Sequence, residues 1–266
     1  MGNMKQCKDL RIVAVERPND GYVLLKLTDS DPLPAIQAGQ FVEIKVEGSP
    51  QTFLRRPISV NFVDEERNEL WLLIQIVGEG TRRLAALQVG DTLNVLFPLG
   101  NGFTPGTADE RVLLVGGGVG IAPLLEYAKQ LRQAGATPYL LLGGRSATNL
   151  LQLDLFRQYG EVYVTTEDGS MGERGFVTNH SVLSLTSHLS PHTSRFRISC
   201  CGPKPMMMAV ARWAKEHGVR CEVSLENLMA CGLGACLCCV EKTVRGNVCV
   251  CKEGPVFDIN ELIWQI

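Results

Sequence analysis

The chain has 266 residues, a formal net charge of −2 and a hydrophobic fraction of 45%. This length suits two compact domains with a small addition. The near-neutral charge, with no block of basic residues, gives no electrostatic basis for binding nucleic acid or an anionic membrane. The start of the chain lacks the apolar core of a signal peptide, and the longest nearly apolar run, 112–125, is Gly-rich and too short to span a bilayer. We therefore expect a soluble, cytoplasmic protein.

The ten cysteines are the most unusual feature of the composition. A reducing compartment disfavours a disulfide framework. Cys7, Cys200 and Cys221 lie among apolar residues, which predicts that each is a small buried hydrophobic residue. Six of the ten cysteines lie close together in the chain, from Cys231 to Cys251, and this clustering requires a chemical cause.

Residues 1–102 are predicted to form a small antiparallel β-barrel. The segment "FVEIKV" (41–46) alternates, with valine and isoleucine on one face and Glu43 and Lys45 on the other, as in a half-buried strand. The runs "YVLLKL", "LWLLIQIV" and "TLNVLF" are further β-rich segments, separated by Pro, Gly and Asp.

Beyond the Gly- and Pro-rich segment 98–110 the pattern changes to α/β. Continuous apolar strands such as "RVLLVGGG" and "YLLLGG" alternate with helix-like segments, which predicts a parallel sheet covered by helices. We expect three domains: a barrel at 1–102, a nucleotide-binding α/β domain at 103–225, and a cysteine-containing domain at 226–266. The predicted helices are 121–133, 148–158, 181–189 and 204–217.

The glycines in "GGGVGIAP" (116–123) lie where a strand gives way to a helix. Gly116, Gly118 and Gly120 would let backbone N–H groups approach a phosphate at the helix start. A tight turn would also use glycines, and the third glycine of the usual dinucleotide fingerprint would fall on Ile121. Alone, this motif leaves both interpretations open.

A second loop of the same kind follows a later strand, in "CCGPKPMM" (200–207). Ligands of open α/β sheets bind beyond the carboxyl ends of strands. Two such loops favour a shared nucleotide site, with Cys201, Gly202 and Pro203 beside it. A buried structural thiol is the alternative for Cys201.

Two features of the barrel region could bind a dinucleotide pyrophosphate. The run "RRPIS" (55–59) offers an arginine fork for phosphate next to a rigid proline, although alone it is better explained as a solvated strand end. The segment "VGEGTRRLAAL" (77–87) places Gly78, Gly80 and Thr81 at the start of a short helix, a second potential anion site. Together they indicate a site for a flavin dinucleotide.

Cys231, Cys236 and Cys239 have the spacing C-x4-C-x2-C, and Cys251 follows after eleven residues. This is the plant-type pattern of a [2Fe–2S] cluster. Zinc sites usually present two C-x2-C pairs, and the second pair here, Cys249-x-Cys251, has the wrong gap. A structural turn is the third alternative. Cys238 and Cys249 are not expected to be ligands.

These motifs occur in an order that resembles the ferredoxin–NADP reductase superfamily over residues 5 to 225. The C-terminal segments "SLENLMACGLGACLCCV" and "VCKEGPVF" are more specific, and resemble the family of electron-transfer subunits of type B dihydroorotate dehydrogenases. Gly144 is a departure, because relatives often carry a bulky residue there. The residues that contact the pyridine nucleotide, and the choice of NAD over NADP, therefore stay open.

The resemblance implies a role for particular positions. Arg56, Pro57, Ile58 and Ser59 match the FAD motif, with Ser59 near the flavin ring. Leu73, Ile74 and Gln75 match the strand beside the flavin ribityl and adenine groups. Gly80 and Thr81 match the turn that binds the pyrophosphate. The cluster ligands are matched by Cys231, Cys236, Cys239 and Cys251.

The resemblance also implies a function. Electrons from dihydroorotate, oxidised to orotate on an FMN-containing catalytic subunit, would pass through the [2Fe–2S] cluster and FAD to NAD+, in pyrimidine (UMP) biosynthesis. The family suggests a heterotetramer of two plus two chains, and this chain, with no catalytic residue of its own, should not oxidise dihydroorotate alone. The alternatives are a reductase subunit for a hydrogenase, a ferredoxin or an oxygenase, and a non-catalytic nucleotide-binding module with a zinc-stabilised tail.

Overall fold

The computed structural model describes residues 4–49, 51–184, 196–264 and 266. The chain divides into two compact units. The first unit contains residues 1–102, 226–241 and 247–255, and the second contains residues 103–225, 242–246 and 256–266. The C-terminal segment therefore contributes to both units.

The first unit is built on a curled antiparallel sheet of seven strands in the order β4-β3-β7-β1-β2-β6-β5. Its strands are β1 (Gln6–Asn19), β2 (Tyr22–Thr28), β3 (Phe41–Ile44), β4 (Arg56–Ser59), β5 (Phe62–Asp64), β6 (Glu69–Gln75) and β7 (Thr92–Leu99). A short helix, α1 (Glu79–Ala85), follows β6.

One face of this sheet encloses an apolar core, as the alternating sequence pattern predicts. Val42 and Ile44 of β3 are fully buried in it, beside the side chains of β1, β2, β6 and β7.

The second unit is built on a sheet in the order β11-β10-β9-β8-β12-β13-β16, parallel except at β16. The strands are β8 (Arg111–Gly117), β9 (Thr137–Gly144), β10 (Glu161–Thr166), β11 (Glu173–Arg174), β12 (Phe196–Cys201), β13 (Arg220–Ser224) and β16 (Val256–Asp258). The main helices are α2 (Ala122–Gln133), α3 (Leu153–Tyr159), α4 (Ser181–Ser184) and α5 (Lys204–Glu216).

Helices α2 and α3 pack against β8, β9 and β10, and α5 packs against β12 and β13. Strand β12 is buried along its whole length, although Arg197 and Ser199 alternate with apolar residues in its sequence. The expected α/β architecture is confirmed. After the cysteine loop come a hairpin of β14 (Val240–Thr243) and β15 (Gly246–Cys249) and a last short helix, α6 (Val250–Glu253).

Two local predictions were wrong. The predicted helix at 148–158 is a 3-10 turn, Ala147–Asn149, followed by α3, because Gln152 adopts a left-handed conformation with φ 57° and interrupts the helix. Cys7 is exposed rather than buried, because it lies on the face of β1 opposite Leu10. Of the predicted helix 181–189, residues 185–189 lie outside the described residues.

No helix within the described residues is both long and apolar enough to cross a membrane.

Candidate functional site

Strand β4 carries the predicted flavin motif, and its residues are half-buried rather than a free strand end. It pairs antiparallel with β3, so that Pro57 lies opposite Glu43 and Ser59 opposite Phe41. The arginine before it, Arg55, donates hydrogen bonds from Nη1 to the backbone oxygens of Glu43 and Asn94, each at 3.1 Å. The first arginine of "RRPIS" therefore anchors the sheet, and the second is the candidate ligand-binding residue.

Arg56 lies against the turn that begins helix α1. A Cβ at Gly80 would be 2.9 Å from Arg56 Nε, so glycine leaves room for the arginine side chain in this position. The hydroxyl of Thr81 accepts hydrogen bonds from the N–H groups of Val77 and Gly78 at 2.9 and 3.0 Å. The structure thus brings Arg56, Gly80 and Thr81 together, in an arrangement where a guanidinium could bind a pyrophosphate.

The β6 residues of the flavin motif lie at the end of their strand. Leu73 and Ile74 are buried within the protein, and Gln75 is half-buried. Protein therefore covers the first two side chains, and Gln75 is the most accessible of the three residues.

The two predicted nucleotide loops meet at one edge of the parallel sheet. Cys201 is paired with Gly116 at the ends of β12 and β8. A Cβ at Gly120 would lie 2.5 Å from both the carbonyl oxygen of Cys201 and the Cα of Gly202, so only glycine allows these loops to pack so closely. Pro203 follows at the start of α5, and Gly118 has φ 56° in the other loop.

The four predicted cluster cysteines come together in two pairs. Cys231 and Cys236 interact through their side chains, and so do Cys239 and Cys251. Two thiolates for each iron is the ligand arrangement of an all-cysteine [2Fe–2S] cluster. In the described chain, no group of three or more His, Cys, Asp or Glu side chains is arranged around a single metal ion.

Backbone N–H groups of the cysteine loop donate hydrogen bonds to the cysteine sulfur atoms. These contacts show whether the loop suits an iron–sulfur cluster. Leu233 N donates to Cys231 Sγ at 3.3 Å, Gly234 N to Cys251 Sγ at 3.1 Å, and Cys251 N to Cys239 Sγ at 3.4 Å. Such donors stabilise negative sulfur and adjust the reduction potential of an iron–sulfur centre. The loop therefore fits the group that its spacing predicts.

The same contacts change the ionisation of the cysteines. Burial opposes ionisation of Cys231, but the N–H groups of Leu233, Cys236 and Ala235 outweigh it and lower the pKa of this thiol to about 6. Burial, together with the neighbouring Cys239, raises the pKa of Cys251 to about 12. Because metal ligands bind as thiolates, binding of iron by Cys251 would require release of its proton.

Cys238 and Cys249 differ from these four. Cys238 is exposed. The thiol of Cys249 faces the carbonyl oxygen of Gly234 at 3.8 Å, and burial, with the nearby cysteines, raises its pKa. The contact turns Cys249 Sγ to a backbone oxygen rather than to the paired cysteines, and the exclusion of Cys238 and Cys249 from the ligand set stays a prediction.

The sequence interpretation missed Glu43. Alternation along β3 predicts that Glu43 faces solvent, but the side chain is fully buried, and neither carboxyl oxygen has a hydrogen-bond partner. Burial raises the pKa of Glu43 to about 7, with Arg55 opposing the shift and Cys231 adding to it. Nothing in the sequence of β3 predicts that Glu43 is buried, because the residue that covers it, Gly232, belongs to the cysteine loop.

Two family models match the chain. The iron–sulfur cluster binding domain of dihydroorotate dehydrogenase B matches residues 226–263, and the oxidoreductase NAD-binding domain matches residues 114–212. The electron transfer subunit of dihydroorotate dehydrogenase B (NAD(+)) from Streptococcus pneumoniae is 37% identical over 260 residues, which cover 96% of this chain and 97% of the relative. The chain belongs to this family of electron-transfer subunits.

Other members of the family are similarly close. The subunit from Caldanaerobacter subterraneus is 41% identical, with 85% of this chain and 87% of the relative covered. The subunit from Fusobacterium nucleatum is 39% identical, with 82% and 84% covered. Because coverage is high on both sides, the likeness extends over both units.

Solved structures share the fold. An NADH-dependent reduced ferredoxin–NADP oxidoreductase, studied for flavin-based electron bifurcation, superposes with a TM-score of 0.82 at 29% identity, covering 96% of this chain and 90% of that one. A ferredoxin–NADP+ reductase from Neisseria gonorrhoeae with bound FAD and NADP has a TM-score of 0.65 at 19% identity, covering 80% and 92%. The second likeness shows the fold alone.

Proposed function

We propose that this chain carries electrons from the FMN of a dihydroorotate-oxidising catalytic subunit, through a [2Fe–2S] cluster and FAD, to NAD+ in pyrimidine biosynthesis. The family to which it belongs supports this proposal, since its members are named as electron transfer subunits of an NAD(+)-linked dihydroorotate dehydrogenase. The ligand assignments made for Arg56 to Ser59, Leu73 to Gln75, the two glycine loops and the four cysteines belong to the same proposal.

One observation carries the proposal: the cysteine loop rests directly on the sheet that bears the flavin motif. A Cβ at Gly232 would lie 2.9 Å from both Glu43 Cγ and Leu99 Cδ1. Asn101 Nδ2 donates to the backbone oxygens of Lys252 and Glu253 at 3.0 and 3.1 Å. Both groups of contacts lie within the first unit, so one compact body supports the cluster ligands and the flavin strand.

When bound, FAD supplies two-electron exchange with nicotinamide, and the cluster supplies single-electron transfer. The chain's own residues bind and orient these groups. Arg56 would neutralise the pyrophosphate, with Gly80 leaving room for its guanidinium. The thiolates of Cys231, Cys236, Cys239 and Cys251 would hold the irons while the N–H groups of the loop stabilise sulfur charge. Gly118 and Gly120 would let the nucleotide approach the backbone beside Cys201.

The assembly follows from the same family. We propose a heterotetramer of two catalytic and two electron-transfer chains, in which this chain does not oxidise dihydroorotate alone. We also propose the cytoplasm, where thiols are kept reduced, as the location of this complex.

The direct test is reconstitution with the purified FMN-containing catalytic subunit. The two proteins should co-purify, and the complex should reduce NAD+ when dihydroorotate is added. Neither protein alone should do so. A stable complex that oxidises dihydroorotate with a dye but forms no NADH, although it contains FAD and iron, would contradict the proposed route.

A second candidate is a reductase that works with a ferredoxin. It is favoured by the likeness to the NADH-dependent reduced ferredoxin–NADP oxidoreductase, which covers nearly all of both chains at 29% identity. This candidate predicts rapid NADH-dependent reduction of ferredoxin by the chain without the FMN subunit. Slow ferredoxin reduction together with fast dihydroorotate-dependent NADH formation would reject it.

A further inference from the structure

Glu43 is an acidic side chain buried without a partner. It has 0% relative exposure, and neither Oε1 nor Oε2 has a hydrogen-bond partner. Four acidic side chains are buried among the described residues, and the other three, Glu110, Glu126 and Glu222, all bind a cation. Leaving a buried polar group unsatisfied costs about 1–3 kcal/mol. Such a cost points to a partner that the protein chain itself does not provide.

The position of Glu43 indicates on which side this partner lies. Val42 and Ile44 point into the apolar core, so Glu43 projects from the opposite face of the sheet. On that face its Cγ meets the cysteine loop, 2.9 Å from the Cβ position of Gly232, and its Oε1 is 3.6 Å from the same point. Gly232 directly follows Cys231. Its φ of 66° brings the loop backbone against the Glu43 side chain.

The neighbouring arginine does not satisfy the carboxyl group. Arg55 Nη1 is directed to the backbone oxygens of Glu43 and Asn94, and its Nη2 to Asn94 Oδ1 at 2.5 Å. The N–H groups of Leu233 and Gly234 are directed to cysteine sulfurs. A protonated carboxyl group at this position has an O–H to donate, and the loop residue that it contacts, Gly232, directly follows Cys231, one of the proposed cluster ligands.

We propose that Glu43 is a positioning residue that donates a hydrogen bond to the sulfur side of the cluster and thereby stabilises its reduced form. This inference rests on the proposed function, because it requires the cluster. Reduction adds one negative charge to the cluster, so a donor directed at sulfur stabilises the reduced state more than the oxidised state. Glu43 would then help the cluster to accept an electron from the catalytic subunit.

The test is a reductive titration of the isolated chain, loaded with FAD and cluster and followed by electron paramagnetic resonance. Glu43→Gln keeps a donor, whereas Glu43→Leu fills the space without one. We expect Glu43→Leu to lower the ratio of reduced to oxidised cluster about tenfold at a fixed potential, which is about 59 mV for one electron. Glu43→Gln should change this ratio less than about threefold. The matched control Glu126→Gln, a buried acid paired with Lys129 in the second unit, should leave it unchanged.

Two results would overturn the inference. If both variants raise the reduced fraction, Glu43 acts as a negative charge. If Glu43→Leu leaves the ratio unchanged, the side chain only fills space. Should Glu43→Leu fail to retain its cluster, Glu43→Met provides the same comparison. The proposed function fails separately, by the absence of any cluster in the wild-type chain.

Discussion

In the second unit, the buried carboxylates of Glu110 and Glu222 are both held by Arg197, whereas the buried carboxyl of Glu43 in the first unit has no partner. Arg197 donates from Nε to Glu110 and from Nη1 to Glu222, each at 2.8 Å. Tyr127 and Ser199 complete the network, with Ser199 Oγ donating to Glu222 at 2.7 Å. A buried glutamate is therefore paired with a cation in the second unit, whereas Glu43 in the first unit has no hydrogen-bond partner.

Because of this difference between the two units, we expect mutations of their buried polar groups to have different effects. Buried polar groups that are satisfied by the chain should affect folding when they are removed. Groups that are reserved for a cofactor should affect cofactor content or properties and leave folding nearly unchanged.

The largest effect is expected from the cluster cysteines. Cys236→Ser removes one of two thiolates from the Cys231–Cys236 pair, so the resonance signal of the reduced cluster should disappear while FAD is retained. Iron content and resonance spectra check this. The matched control is Cys249→Ser, which should keep the cluster. A normal signal in Cys236→Ser would refute the ligand assignment.

Arg197→Met should destabilise the second unit by about 3–5 kcal/mol, because it leaves the buried Glu222 without its cation and Glu110 with only the exposed Arg220. Hydrogen exchange of β9 and β12 amides in urea measures this locally. The control is Arg220→Met, whose side chain is 60% exposed and 3.3 Å from Glu110, and which should cost less than about 1 kcal/mol. Equal effects in the two variants would contradict the contrast between the units.

The Arg197 effect should also depend on pH. Burial raises the pKa of Glu110, but its hydrogen bond and ion pair with Arg197 outweigh burial, so the net pKa lies below the usual 4.5. Because the pKa of Glu110 is lower in the folded state, the unfolded state binds the proton at a higher pH than the folded state does. The stability that ionised Glu110 contributes is therefore fully present above pH 4.5 and is lost as the pH falls through the pKa of the folded state. The stability difference between wild type and Arg197→Met should therefore narrow below pH 4.5, and a constant difference would contradict this account of Glu110.

A smaller effect is expected from Arg56→Ala. Loss of a charge-assisted hydrogen bond to pyrophosphate, worth about 1.5–3 kcal/mol, should weaken FAD binding about 10- to 150-fold without unfolding the sheet. Fluorescence titration of flavin-free protein measures the dissociation constant. Arg82→Ala is the control, since Arg82 is 61% exposed and pairs only at the surface with Glu79. Full FAD retention would mean that Arg56 is a structural arginine.

The smallest change in stability is expected from Glu43→Leu. In the cluster-free protein this substitution removes an unsatisfied buried group, so the free energy of unfolding of the first unit should stay within about 1 kcal/mol of wild type or rise. Urea denaturation of the cluster-free protein tests this. A loss as large as that of Arg197→Met would show that Glu43 has a structural partner.

Much of the fold could be predicted from sequence because it depends on local patterns. The alternation of Val42 and Ile44, the continuous apolar strand β8 and the cysteine spacing each depend on residues close together in the chain. The burial of Glu43 could not be predicted, because its cover is Gly232, far along the sequence. The break at Gln152 depends on a single left-handed residue, which no periodicity reveals.

The candidate site shows the same limit. The sequence indicated which cysteines would gather, but not that they interact in two pairs or that particular N–H groups face the sulfurs. The resemblance named Arg56 of "RRPIS" as the FAD-motif residue, and the structure adds that Arg55 anchors β3 and β7 whereas Arg56 lies at the Gly80 turn. Orientation of side chains across a folded sheet requires the tertiary structure.

The most direct test of the electron-transfer role is the redox state of the cluster in the complex with the FMN-containing subunit. Dihydroorotate is added anaerobically without NAD+, and the sample is frozen for electron paramagnetic resonance. The cluster signal should appear with dihydroorotate and disappear when NAD+ is then added. A cluster that stays oxidised while the FMN is reduced would contradict the proposed electron path.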